Sequence, residues 1–153
     1  MNPSIVVLAL LLLLTGCATA PNEPSAITIV GAHWERVGGV AGEGLVPREL
    51  IIRAVDDRAV KSPAKQALRI SPGDRTVDFV YTRNARFTDK LNRKEFAFGR
   101  VTFKAEAKEA YALKGDDYTS GSVVKVWVER LSDGLRVSAE IEAPRSTENI
   151  YWR

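Results

Sequence analysis

The chain has 153 residues, 45% of them hydrophobic, and 22 Lys and Arg against 19 Asp and Glu leave a net charge of only +3. That length suits one domain with a core large enough to be stable on its own. A single cysteine and a single histidine exclude both a disulfide framework and a zinc site built from several such ligands.

Ile5 to Leu14 is an unbroken run of ten apolar residues, half of the roughly twenty that a membrane-spanning helix needs. It matches the hydrophobic region of a secretory signal peptide, and Thr15, Gly16 and Ala18 supply the small residues of a cleavage point. Leu14-Thr15-Gly16-Cys17 resembles the lipobox of bacterial lipoproteins. The resemblance implies that residues 1–16 are a lipoprotein signal peptide, that cleavage falls before Cys17, and that the Cys17 thiol and the new amino terminus are acylated. At about 0.8 kcal/mol per buried methylene, two or three chains such as palmitate hold a protein on a membrane. Ala18 resembles the residue that directs such proteins to the outer membrane, so the expected location is the cell envelope, lipid-anchored and facing the periplasm.

Residues 18–26, with two prolines among small and polar residues, read as a flexible tether following the lipidated cysteine. A single domain is expected over 27–153. His33 stands two residues before Glu35, a spacing that points both the same way on a strand. The glycines from Gly38 to Gly44 lack the lysine of a phosphate-binding loop and read as a surface loop. In "VPRELIIRAV" the branched Ile51, Ile52 and Val55 predict a strand, and Asp56-Asp57 a hairpin turn. "SPAKQ" reads as a helical turn capped by Ser62, and "TDKLNRKE" as a second one.

Val77, Phe79 and Tyr81 predict the inward face of the next strand, launched by Ser71-Pro72-Gly73-Asp74. Val101, Phe103 and Ala105 do so for another, with a bulge at Gly99, where the Phe96, Phe98 alternation changes phase. "AYALK" follows, closed by a turn at Lys114-Gly115-Asp116-Asp117, and then Val124, Val126 and Val128 alternate with Lys125, Trp127 and Glu129. Asp133-Gly134 predicts a hairpin into "GLRVSAEI", with Leu135, Val137, Ala139 and Ile141 on one face. These elements make an all-β fold, an antiparallel β-sandwich or partly open barrel of about seven or eight strands. "LRISPGDRTVDFVYT" followed by "VTFKAEAKEAYALKGDD" is also similar to small β-rich envelope lipoproteins in which a Pro-Gly turn launches a strand. With 27% charged residues the chain does not read as a barrel in lipid.

No constellation points to catalysis. Cys17 is consumed by lipid, no serine lies in a nucleophile elbow, Ser120 merely precedes a strand, and neither aspartate pair shows a calcium-loop spacing. No metal or cofactor is expected. The distinctive stretch is Arg83 to Lys104, with seven basic residues against Asp89 and Glu95, a local charge of +5, and four of the five phenylalanines. "KEFAFGRV" partly resembles the RNA-recognition ribonucleoprotein motif, but Glu95, Gly99 and Val101 break it, so no nucleic-acid partner is expected. Arg83, Arg86, Lys90, Arg93 and Lys94 are instead candidate contacts for an anionic envelope partner, lipopolysaccharide or peptidoglycan, or for an envelope protein. His33 and the terminal Tyr151 and Trp152 are further candidate contact residues. The expected function is a lipid-anchored, non-catalytic binding protein of the envelope. The alternatives are a small hydrolase using carboxylates with His33, or a structural subunit of an envelope assembly.

Overall fold

The computed structural model describes residues 27–37, 45–60, 66–88, 91–117 and 122–151. The leader, Cys17, the tether, the glycine loop, Ser120 and most of "SPAKQ" lie outside them. Eleven strands follow in order: β1 Ile27–Val30, β2 Ala32–Val37, β3 Leu45–Val55, β4 Arg58–Ala59, β5 Leu68–Ile70, β6 Gly73–Thr88, β7 Leu91–Ala105, β8 Ala110–Asp116, β9 Val123–Arg130, β10 Ile141–Pro144 and β11 Ser146–Tyr151. They form a sandwich, with a five-stranded sheet ordered β10-β9-β8-β1-β5 facing a six-stranded sheet ordered β11-β7-β6-β3-β2, whose sixth strand β4 pairs with β3. All pairs are antiparallel except β1 with β8.

The core lies between the sheets and follows the strand period of two. Leu50 and Ile52 of β3, Val77, Phe79 and Tyr81 of β6, and Val101, Phe103 and Ala105 of β7 meet Ile29, Tyr111, Leu113 and the valines at 124, 126 and 128. Phe103 and Tyr111 pack with ring centroids 5.0 Å apart. Trp127, on the outer face of β9, is covered by the Arg136 guanidinium 4.2 Å from its ring centroid, a cation–π contact.

Four expectations are corrected. β6 and β7 pair without interruption through Phe79 and Gly99, so there is no bulge at Gly99: Ala97, Val101 and Phe103 hold one inward phase and Phe98 simply faces solvent, 64% exposed. Gly99 is needed for space, since a Cβ there would stand 2.5 Å from Phe79 Cζ. The irregularity sits instead in β3, between Ile52 and Ala54, and lets Val55 rejoin the core after the even-numbered run Val46 to Ile52. "TDKLNRKE" gives no helical turn from Leu91 onward, because those residues pair with β6 and β11 as part of β7.

Lys114 to Asp116 continue β8 rather than turning, and Gly115 there lies against the facing sheet, where a Cβ would come within 2.9 Å of Leu50 and 3.1 Å of Trp34. Finally, "GLRVSAEI" pairs only briefly. Arg130 N–H donates to Leu135 O and Val137 N–H to Val128 O, but the Ser138 hydroxyl takes the Val128 N–H at 2.8 Å in place of a backbone carbonyl. The ladder breaks there and resumes as β10, with Ile141 opposite Val126. The Asp56-Asp57 turn is as expected, both residues having positive φ (49° and 62°), which is the geometry of a two-residue hairpin turn.

Candidate functional site

The two ends of the sandwich differ. At one end are Ile27, the Asp56-Asp57 turn and the Pro72-Gly73 turn, since Ile27 pairs with Ile70 and Val55 with Val77. At the other, β6 and β7 run on past the hydrogen bond from Arg145 to Glu95 as an arm that pairs out to Thr88 and Leu91 with β11 alongside.

A buried polar cluster closes the core beneath this arm. Arg48 Nε donates to Asp117 Oδ2 at 2.6 Å and Tyr81 Oη donates to the same oxygen at 2.8 Å. Arg48 also donates to Val46 O at 2.6 Å. Beside them Arg83 and Arg145 both donate to Glu95 Oε2, at 3.2 and 3.1 Å. The Arg48 and Asp117 side chains are only 4% and 2% exposed, so each charge depends on the other for what water would have supplied. Burial, and then the neighbouring Asp117 carboxylate, push the Tyr81 hydroxyl well above its ordinary pKa, which keeps it a proton donor.

The inward position of these charges is written in the strand phase. Arg48 prolongs the inward phase of Val46, Leu50 and Ile52, Arg83 that of Val77, Phe79 and Tyr81, and Glu95 that of Ala97 and Val101. A charged residue at an inward position must meet a partner.

The five basic candidates are therefore not one surface. Arg83 belongs to the buried cluster. Lys94 is partly exposed and pairs across β6 with Asn84, Arg93 with Ala85, and Arg86 with Asn92, all on the arm. Lys90 lies outside the described residues, as does Trp152, while Tyr151 ends β11 opposite Leu91. Farther down the same strand Arg100 is held by Asp78, through two hydrogen bonds of 2.6 and 2.8 Å, and by Asp57 at 2.7 Å, so its charge is compensated.

His33 faces solvent on edge strand β2, with Nδ1 3.3 Å from Glu49 Oε1 directly across on β3. Glu49, and not Glu35, is the carboxylate beside it. Among the described residues no group of three His, Cys, Asp or Glu side chains converges to hold a metal ion.

A comparison with protein-family models finds no match, and neither curated proteins nor solved structures give a significant one.

The opposite end carries an open cleft of about 500 Å³ lined by Val55, Asp56, Arg58, Val60, Arg69, Ile70, Ser71 and Arg75. Arg75 is fixed there by an ion pair with Asp56 and by donating to Pro72 O at 2.9 Å. Gly73, with φ of +106°, turns the chain so that this guanidinium folds back over the turn.

Proposed function

We propose that this chain is a lipid-anchored, non-catalytic protein of the bacterial cell envelope that holds a β-sandwich out from the membrane and binds an envelope partner through the β6–β7–β11 arm. Acylated Cys17 is the anchor. The observation that carries the reading is the placement of the two ends: the chain enters the sandwich at Ile27, and the arm bearing Arg86, Arg93 and Lys94 leaves from the end opposite. A tethered protein of this layout points its basic arm away from the bilayer that holds it. An anionic polymer such as peptidoglycan or lipopolysaccharide, or an acidic face of an envelope protein, suits that charge.

The polar cluster argues for a structural use of its groups. Inside the core Arg48 and Tyr81 both donate to Asp117 Oδ2, and His33 with Glu49 stands on an open strand face.

The test has two parts. Metabolic labelling with a palmitate analogue is expected to mark the native chain and not Cys17→Ser, and an unmarked native chain would refute the anchor. Envelope cross-linking and pull-down then compare the native protein with a variant carrying Ser at positions 86, 90, 93 and 94. A partner captured by the native protein and lost from the folded variant supports the arm as the contact surface, and the same partners from both would overturn it.

A further inference from the structure

Leu131 and Leu135 stand open to water at the end of the sandwich that receives the chain from the tether. They are 50% and 53% exposed, and with Phe98 they are the exposed large hydrophobic side chains among the described residues. A single exposed leucine asks for no explanation, but these two flank one three-residue turn, Ser132-Asp133-Gly134, directly after β9.

The turn is braced from within. Asp133 accepts from Arg130 Nε at 3.1 Å, from Arg130 Nη2 at 2.7 Å and from the Leu135 N–H at 3.0 Å. Arg130 also donates to Glu106 at 2.9 Å, and the Ser132 hydroxyl donates to Glu109 at 2.7 Å. Gly134, with φ of +70°, bends the chain so that its N–H reaches Arg130 O. The charged groups beside the leucines therefore have partners on the protein, which lessens what they lose when water is displaced.

The backbone fixes where this turn lies. The Leu131 N–H donates to Ala110 O at 2.8 Å, and Ala110 is the register partner of Thr28 on β1. Two strand spacings, about 10 Å, thus separate the turn from the entry of the chain. Ile27 follows Cys17 by ten residues, a span of at most about 35 Å when fully extended.

We infer that Leu131 and Leu135 seat in the bilayer that holds Cys17, their side chains entering the acyl layer beneath the headgroups while the braced turn stays at the surface. This contact rests on the anchoring of Cys17 proposed above. Two half-exposed leucines do not keep a free protein on a membrane, since even one whole acyl chain binds only marginally. The tether makes up the difference by turning the contact into an intramolecular one. Being apolar, the contact is insensitive to salt and to lipid charge, and it directs the basic arm at the opposite end away from the bilayer.

The test exploits the single cysteine of the chain: once Cys17 carries lipid, an introduced cysteine alone takes a thiol-reactive fluorophore. The full-length lipidated protein is labelled at Ser132→Cys or, as a control, at Ser146→Cys, an exposed position opposite Phe96 at the arm end. Each is placed in phosphatidylcholine vesicles containing a lipid with a quencher near the top of its acyl chain. Quenching is expected to be about threefold or more stronger at 132 than at 146, and to be unchanged by high salt or added phosphatidylglycerol. Leu131→Ser with Leu135→Ser is expected to bring position 132 down to the level of 146 with an unaltered circular dichroism spectrum, whereas Leu131→Phe with Leu135→Phe should keep the difference. Equal quenching at the two positions would overturn the contact. Quenching at 132 that survives the serine variant, or vanishes in high salt, would overturn the leucines as its cause. Disulfide-linked dimers through position 132 without quenching would give the leucines to a second copy of the chain and overturn the bilayer as their occupant. The mass of the amino-terminal peptide separates the two readings: an unmodified Cys17 overturns the anchor and the contact with it, and an acylated Cys17 with equal quenching overturns the contact alone.

Discussion

At the scale of the residue, two positions show how closely side chains set this fold. Gly99 gives its space to the Phe79 ring, so Gly99→Ala forces that ring out of a filled core. The expected cost is about 1–3 kcal/mol by urea denaturation, as for other overpacked cores. Pairing it with Phe79→Leu should recover part of the loss, because the two residues share one volume. Asp117 is the acceptor for both Arg48 and Tyr81, and Asp117→Asn leaves the Arg48 charge in the core without that carboxylate. A loss of about 3–5 kcal/mol is expected, and replacing Arg48 and Asp117 together with apolar residues should restore most of it. Tyr81 adds a pH dependence. Its folded pKa is raised above the ordinary value of 10.0, so its contribution is present below pH 10 and is lost as the pH rises beyond it. Tyr81→Phe should therefore unfold with a shallower alkaline dependence than the native chain.

At the scale of the element, turn chemistry was the most readable part of the sequence. Asp56-Asp57, Pro72-Gly73 and Asp133-Gly134 all turn the chain. Asp133 accepts from Arg130 through both oxygens and from the Leu135 N–H, and these bonds, the Arg130 guanidinium foremost, hold its pKa at about 2. Asp56, through the Thr76 N–H, and Asp78, through Arg100, are shifted in the same direction. Since each folded pKa lies below its unfolded value, their support is full above that value and disappears as pH falls toward 2. Melting temperatures measured from pH 5 down to pH 2 should fall, and Asp133→Asn should flatten the fall. Strand phase was harder to read where exposure and apolarity part company. Phe98 is apolar and exposed while Glu95 is charged and buried, so alternation judged by residue type alone slipped by one at Gly99 and missed the real irregularity at Arg53. The extra strands, eleven against seven or eight, came from short pieces such as β4 and β10 that carry too few residues to show a period.

At the scale of the whole molecule, the sandwich was legible from repeated alternation and turn spacing, but the partners within it were not. No local pattern says that β1 runs parallel to β8, or that β11 returns to β7 across about a third of the chain. The polar cluster stayed hidden for the same reason: Arg48 and Asp117 are 69 positions apart and meet only when two sheets close on each other. Such pairings also govern folding speed, because distant loops must close before any contact offsets the entropy lost. Refolding from urea by stopped flow should take between about a millisecond and seconds, as for other sandwiches, and sub-millisecond refolding would contradict this topology.

The passage of the chain from one sheet to the other takes a single residue, Arg145, between the end of β10 and the start of β11. Beyond that corner β11 occupies the rim of the six-stranded sheet, pairing with β7 from Phe96 to Leu91. A protease cut at Arg145 would strip this cover and leave a row of unpaired amides and carbonyls along β7, beside the exposed ring of Phe98. An uncovered rim of that kind invites another chain to add its own strand, so clipping there would turn a self-contained sandwich into a seed for aggregation.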